Sequence, residues 1–170
     1  MCIVIDSCTI SIVFNPKSSE HVEFRPVLEW ITTGCGKMIY GGTKFKKELS
    51  HLRKYIGIIS QLKKAGKVIE VSESKVDDEE KRVSTLVPDM DFDDPHIVAI
   101  VIVTGCKIVC TKDTRSIKYL KNSAFYTLPL KKPKLYTSHL NKNLLTSKYF
   151  SKICLPEIKG SKDLLTLAKS

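Results

Sequence analysis

The sequence predicts an α/β protein whose parallel sheet is covered by helices on both faces. Two observations carry that prediction. Short apolar runs alternate along the chain with segments of helical spacing, the pattern of strands joined by helical crossovers. Right-handed crossovers then bring the strand C-termini to one edge, where acids follow two of the apolar runs, at Asp6 and Asp113.

The elements read in order. The run 2–6, CIVID, is apolar up to its final acid, as in a buried strand. The segment 21–31 spaces Val22, Val27, Leu28 and Ile31 as on one helix face, with Pro26 marking an early turn or a kink. KMIY at 37–40 is the second strand. One long helix follows, capped by Thr43 and closed by Gly66, with Phe45, Leu49, Leu52, Ile56, Ile59 and Leu62 on its buried face. KVIEV at 67–71 is the third strand, and 74–87 forms a charged amphipathic helix.

Asp94 and Pro95 are the N-cap and first residue of a buried helix that Gly105 stops. Its IVAIVIV run is β-branched, which favours strand, but the cap, the length and the need for a crossover outweigh that preference. KIVCT at 107–111 is a strand, 114–122 a short helix, and AFYTL at 124–128 the last strand expected. From 129 to 170 the pattern loosens into a basic extension, read as an extended arm with a short helix near LLTSKYF.

Composition bounds the function. The 170 residues suit one domain with an extension, and no apolar run is long enough to span a bilayer. The start lacks the basic region and cleavage site of a signal peptide, so a cytoplasmic protein is expected. Six cysteines show neither C-x-x-C spacing nor histidine partners, which argues against zinc and for reduced thiols over disulfides. The net charge is +10, and no acid occurs between Thr114 and Pro156. Such a basic stretch suits a polyanion, nucleic acid first, or else is a solvated surface.

Acids nevertheless gather at one edge. Asp6 and Asp113 end strands, and Asp94 heads a helix running antiparallel to them, so all three belong to the edge where open parallel sheets bind ligands. Glu48 lies about 40° from Leu52 on an ideal helix, beside the buried stripe and near the same edge. Close carboxylates repel, and a hard divalent ion, Mg²⁺ or Mn²⁺, relieves the repulsion with oxygen ligands. Such an ion polarises a phosphodiester and acidifies a bound water.

IVIDSCTI, the acid of KKEL, DDPHIVAI and IVCTKD, in that order, resemble the PIN-domain family across residues 1–128. The resemblance implies a three-layer α/β/α sandwich and a metal-dependent endoribonuclease. It places the four acidic positions on Asp6, Glu48, Asp94 and Asp113, with Thr111 and Ser7 as supporting hydroxyls. The implied chemistry is hydrolysis of RNA, single-stranded or in loops, by metal-activated water. A β-branched helix after the third acid departs from the family's alanine-rich pattern, and nothing carries over to 129–170.

Each residue also has a plainer reading. Asp94 is explained by its cap alone, and Asp93 or Asp91 are alternative ligands. Asp6 suits a strand-ending turn, Asp113 a helix cap and Glu48 a solvated face. His96 either contacts substrate or is a first-turn helix residue. Lys112 and the ridge of Arg115, Lys118 and Lys121 suit RNA backbone contacts or a solvated surface. Tyr136, Tyr149 and Phe150 either stack on bases or anchor the arm. Competing functions are a catalytically weak RNA-binding or protein-interaction module, a receiver-type phosphoacceptor, for which KVIEVSES lacks the Asp, and a nuclease restrained by a partner, such as the toxin of a toxin–antitoxin pair with its antitoxin. The arm equally suits homo-oligomer contacts.

Overall fold

The computed structural model describes residues 1–127, 130 and 132–166. Five parallel strands form one sheet: β1 (Cys2–Ile5), β2 (Lys37–Gly41), β3 (Val68–Val71), β4 (Ile108–Cys110) and β5 (Lys134–Tyr136), in the order β3-β2-β1-β4-β5. The central strands β1, β2 and β4 are buried throughout, which is why they read as continuous apolar runs without alternation. Right-handed crossovers put the connections from β1 through β3 on one face and those from β3 through β5 on the other. The strand order changes direction between β1 and β4, so the crevice past their C-termini is the natural ligand position of this topology.

The first helix, α1 (Ser7–Phe14), follows β1 directly and was not expected from the sequence. Asp6 caps it, its Oδ1 accepting the Cys8 N–H at 3.4 Å. Helix α2 (His21–Thr32) includes Pro26 and packs along α1. Its buried face is Phe24, Val27, Leu28 and Ile31, while Val22, assigned to that face by spacing, is 72% exposed.

The long helix expected after β2 is two helices, α3 (Thr43–His51) and α4 (Arg53–Lys64), separated at Leu52 with φ −93° and ψ 44°. The break shifts the phase of the apolar stripe: Tyr55 is buried and Ile56 is 42% exposed. The cap position of α3 is Gly42, and Thr43 instead gives its N–H and hydroxyl to Asp77 at 2.8 and 2.6 Å. Helix α5 (Glu73–Leu86) lies against α6 (Pro95–Thr104). Helix α6 is apolar around most of its circumference and largely buried, which lets β-branched residues sit in a helix despite their preference for strand. Gly105, at φ 62°, ends it in the left-handed conformation.

The end of the chain differs most from expectation. Helix α7 (Ile117–Leu120) is a single turn, and Ser123–Phe125 is a 3₁₀ turn where a strand was expected. Leu128, the end of that expected strand, and Pro129, the start of the proposed extension, lie outside the described residues. The fifth strand comes from Lys134–Tyr136, within the segment read as an arm, and Tyr136 is fully buried with its hydroxyl on the Glu23 carbonyl at 3.0 Å. LLTSKYF contributes a 3₁₀ turn at Ser147–Tyr149.

The chain then crosses the N-terminal edge of the sheet. Lys37 Nζ donates to the Pro156 carbonyl at 2.6 Å. The buried Lys67 donates to the carbonyls of Gly34 and Ile158 at 2.9 and 2.8 Å. The Gly160 N–H bonds the Gly34 carbonyl at 2.8 Å, and a Cβ at Gly160 would stand 1.8 Å from the Thr32 oxygen. Cys2 and Cys154 form a disulfide, their Cα atoms 5.8 Å apart, which corrects the expectation of six reduced thiols. The partners are 152 residues apart, and they meet only because this segment folds back onto β1. No helix among the described residues is long and apolar enough to cross a membrane.

Candidate active site

The candidate site is built outward from the two central strands. The Asp6 N–H bonds the Cys110 carbonyl at 2.9 Å, continuing the β1–β4 pairing by one residue and holding Asp6 at the strand ends. Thr111, fully buried, donates its hydroxyl to Asp6 Oδ2 at 2.7 Å and accepts the Asp113 N–H at 3.0 Å. One hydroxyl therefore fixes the acid after β1 and the backbone of the acid after β4. Thr9 adds a second tie, its Oγ1 accepting the Lys112 N–H at 3.0 Å.

A parallel arrangement fixes Glu48 on α3. Ser7 donates its hydroxyl to Glu48 Oε2 at 2.7 Å, joining α1 to α3. Burial works to raise the Glu48 pKa, but the imidazole of His96 and the Ser7 hydroxyl outweigh it, and the carboxyl stays below its ordinary range. Glu48 thus favours the carboxylate form.

Asp94 holds the cap position of α6, yet its side chain makes no capping hydrogen bond. The plain helix-cap reading accordingly leaves its carboxyl unexplained. Burial first, then the charges of Asp6 and Glu48 against the opposing pull of His96, push its pKa up to about 6. Asp6, Asp94 and Asp113 line one cleft together with Ser7, Asp93, Lys112 and Arg115. Glu48, Asp94 and His96 each place one ligand atom within 4.8 Å of the others. Asp93 also faces the cleft but is 60% exposed, and Asp91 is exposed with its N–H on Asp89 at 2.9 Å. Of the three neighbouring acids, Asp94 is the one beside Glu48 and His96.

The donors suit a divalent cation. Five carboxylates line one cleft against two basic side chains, Lys112 and Arg115, and one of the acids, Asp94, is desolvated and pushed toward protonation by its neighbours, which describes an environment short of positive charge. The oxygens match a hard ion. Among the described residues the compact donor group is Glu48, Asp94 and His96, while Asp6 and Asp113 share the cleft with Asp94 but stand outside that group.

The basic residues are distributed differently from the expected ridge. Because α7 is one turn long, Arg115 precedes it and Lys121 follows it. Arg115 reaches Asp113 at 3.4 Å and Asp93 at 3.8 Å, on the lip of the cleft. Lys112 pairs with Glu20. Lys118 lies 4.5 Å from the centre of the Tyr119 ring and 3.6 Å from Asp89. Lys121 is exposed and has no ion pair among the described residues.

Sequence reasoning treated two residues near this site too lightly or not at all. His96 is fully buried beside Glu48, and a lone histidine two residues after an acid, opening an apolar helix, was its only sequence signal. Glu80 on α5 has its pKa raised chiefly by burial, with His96 and Glu48 among its electrostatic neighbours. It sits in a run of acids, where nothing in sequence distinguishes it. No family model matches the chain, and no curated protein or solved structure matches it.

Proposed function

We propose that this chain is a metal-dependent endoribonuclease of the PIN-like kind, acting on single-stranded or looped RNA with Mg²⁺ or Mn²⁺. The observation that carries the reading is the gathering of Asp6, Asp94 and Asp113 around one cleft at the β1–β4 switch point, with Glu48 next to Asp94. A charge-poor fold edge would serve a binding module equally well; a set of mutually repelling carboxylates serves a cation.

The chain's own groups divide the work. Asp6, Glu48, Asp94 and Asp113 present oxygens, Thr111 holds Asp6, and Ser7 holds Glu48. A bound divalent ion supplies Lewis acidity toward a phosphodiester oxygen and lowers the pKa of water. Arg115 and Lys112 border the cleft, and both are exposed enough to exchange their present carboxylate partners for RNA phosphates. The acid-free stretch after Thr114 extends positive charge beyond the cleft.

RNA cleavage followed on a gel, with and without EDTA, tests the reading. Cleavage that needs a divalent ion and disappears in a folded Asp6→Asn protein supports it. Equal cleavage by Asp6→Asn overturns the site assignment, and salt-dependent RNA binding without any cleavage replaces the nuclease with a binding module.

A further inference from the structure

His96 stands out among the buried polar groups. Its side chain has no solvent exposure, and neither Nδ1 nor Nε2 has a hydrogen-bond partner among the described residues. A histidine kept in a core for structural reasons ordinarily satisfies at least one ring nitrogen, as His21 does here through the Ile12 carbonyl at 2.9 Å. The ring of His96 is held instead by packing, its centroid 6.2 Å from that of Phe45. Its Nε2 lies 3.2 Å from Glu48 Oε2, without the alignment of a hydrogen bond.

His96 also belongs to a compact donor set. One ligand atom each from Glu48, Asp94 and His96 lie within 4.8 Å of one another. Donors about 2.1–2.2 Å from a shared ion are at most roughly 4.4 Å apart, so a small contraction closes the set. A buried imidazole without an aligned hydrogen bond, its Nε2 beside the Glu48 carboxyl and with Asp94 in the same donor group, is suited to sharing a positive ion with both acids.

We propose that His96 Nε2 is a ligand to the cation held by Glu48 and Asp94, and that this nitrogen makes the centre prefer a transition ion such as Mn²⁺ over Mg²⁺. The inference rests on the metal site of the proposed nuclease and adds the ion it selects. Mg²⁺ takes oxygen donors and keeps much of its water, whereas imidazole nitrogen suits first-row transition ions. A centre of carboxylates alone would not discriminate in this way. His96 is then a direct ligand, while Ser7 and Thr111 position carboxylates.

Electron spin-echo spectroscopy of the full-length, EDTA-stripped chain with one equivalent of Mn²⁺ tests the proposal without any variant. The expected result is a ¹⁴N coupling from a bound imidazole, with Mg²⁺ needed in about hundredfold excess to displace the Mn²⁺. His96→Leu is expected to lose the coupling and at least about 10–100-fold in Mn²⁺ affinity, and His139→Gln to keep both. Bound Mn²⁺ without a ¹⁴N coupling, displacement by equal Mg²⁺, a coupling that survives in His96→Leu, or no Mn²⁺ binding overturns the proposal. RNA cleavage measured in parallel separates it from the nuclease reading. Cleavage supported by Mg²⁺ with no ¹⁴N coupling sinks only the histidine ligand, and a ¹⁴N coupling without cleavage sinks only the nuclease.

Discussion

Thr111 Oγ1 donates to Asp6 Oδ2 at 2.7 Å while accepting the Asp113 N–H at 3.0 Å, so one buried hydroxyl sets the positions of two acids 107 residues apart in sequence (113 − 6). Replacing Thr111 with Val keeps the shape and removes both bonds. The buried Asp6 carboxylate loses a donor, and the expected cost is about 1–3 kcal/mol in stability. Cleavage is expected to fall about 10–100-fold, the usual effect of losing a group that orients a ligand. Thr111→Ser retains the hydroxyl and is expected to recover most of the rate in the same gel assay.

Asp94 sets stability against function. Its desolvated carboxyl is opposed by Asp6 and Glu48, so the charged form destabilises the metal-free fold. Asp94→Asn removes that charge at nearly constant volume. At pH 8 in EDTA the variant is expected to melt higher than the parent by roughly 2–4 °C per kcal/mol relieved. Adding Mn²⁺ reverses the order, because binding raises only the protein able to hold the ion. Cleavage by the variant is lost.

The basic rim should behave as a phosphate contact. Arg115→Gln is expected to weaken RNA binding without regard to sequence and to reduce the slope of log affinity against log salt by about 0.7 for a single strand. Lys118, engaged with Tyr119 and Asp89, is expected to contribute less than Arg115. Filter binding of an Asp6→Asn protein over a salt series measures both without cleavage.

Lys67 predicts an alkaline dependence of stability. Burial first, with Lys37 adding to it and Cys35 opposing, brings its pKa down to about 8 in the fold, against 10.5 for the free group. The folded state therefore holds fewer protons on this group than the unfolded state between those values, and stability rises with pH across that window. Lys67→Met lacks this gain. The melting temperature of the parent relative to the variant is expected to increase from pH 8 to pH 10.5. A constant difference would show that the ammonium carries no penalty at this position.

Much of the sheet was legible because buried parallel strands leave nearly unbroken apolar runs, as at β1, β2 and β4, while β3 falls on a short run interrupted by the exposed Glu70. The α6 boundaries were equally plain, since Asp94-Pro95 and Gly105 are local signals. What failed was decided by contacts between distant segments. The break at Leu52 has no glycine or proline to announce it. The strand Lys134–Tyr136 is short and partly charged, and it becomes a strand by pairing with β4 at a sheet edge. Around the candidate site, the roles of Thr111 and Ser7 came from resemblance, and the coordinates give each a bond to an acid. His96 was underrated because its burial and its lack of an aligned hydrogen bond among the described residues are visible only after folding.

The strap across the sheet's N-terminal edge alters what counts as the smallest foldable piece. A chain cut at 128 would expose β4 as a bare border and leave the ammonium groups of Lys37 and Lys67 without their far acceptors at Pro156 and Ile158. The segment that looked like an appendage behaves as the closing clasp of the domain, and the clasp is fastened on the side away from the acids. Trimming the tail would also remove the Tyr136 carbonyl that accepts the Thr111 N–H at 3.1 Å, so the loss would reach the residue that positions the acids.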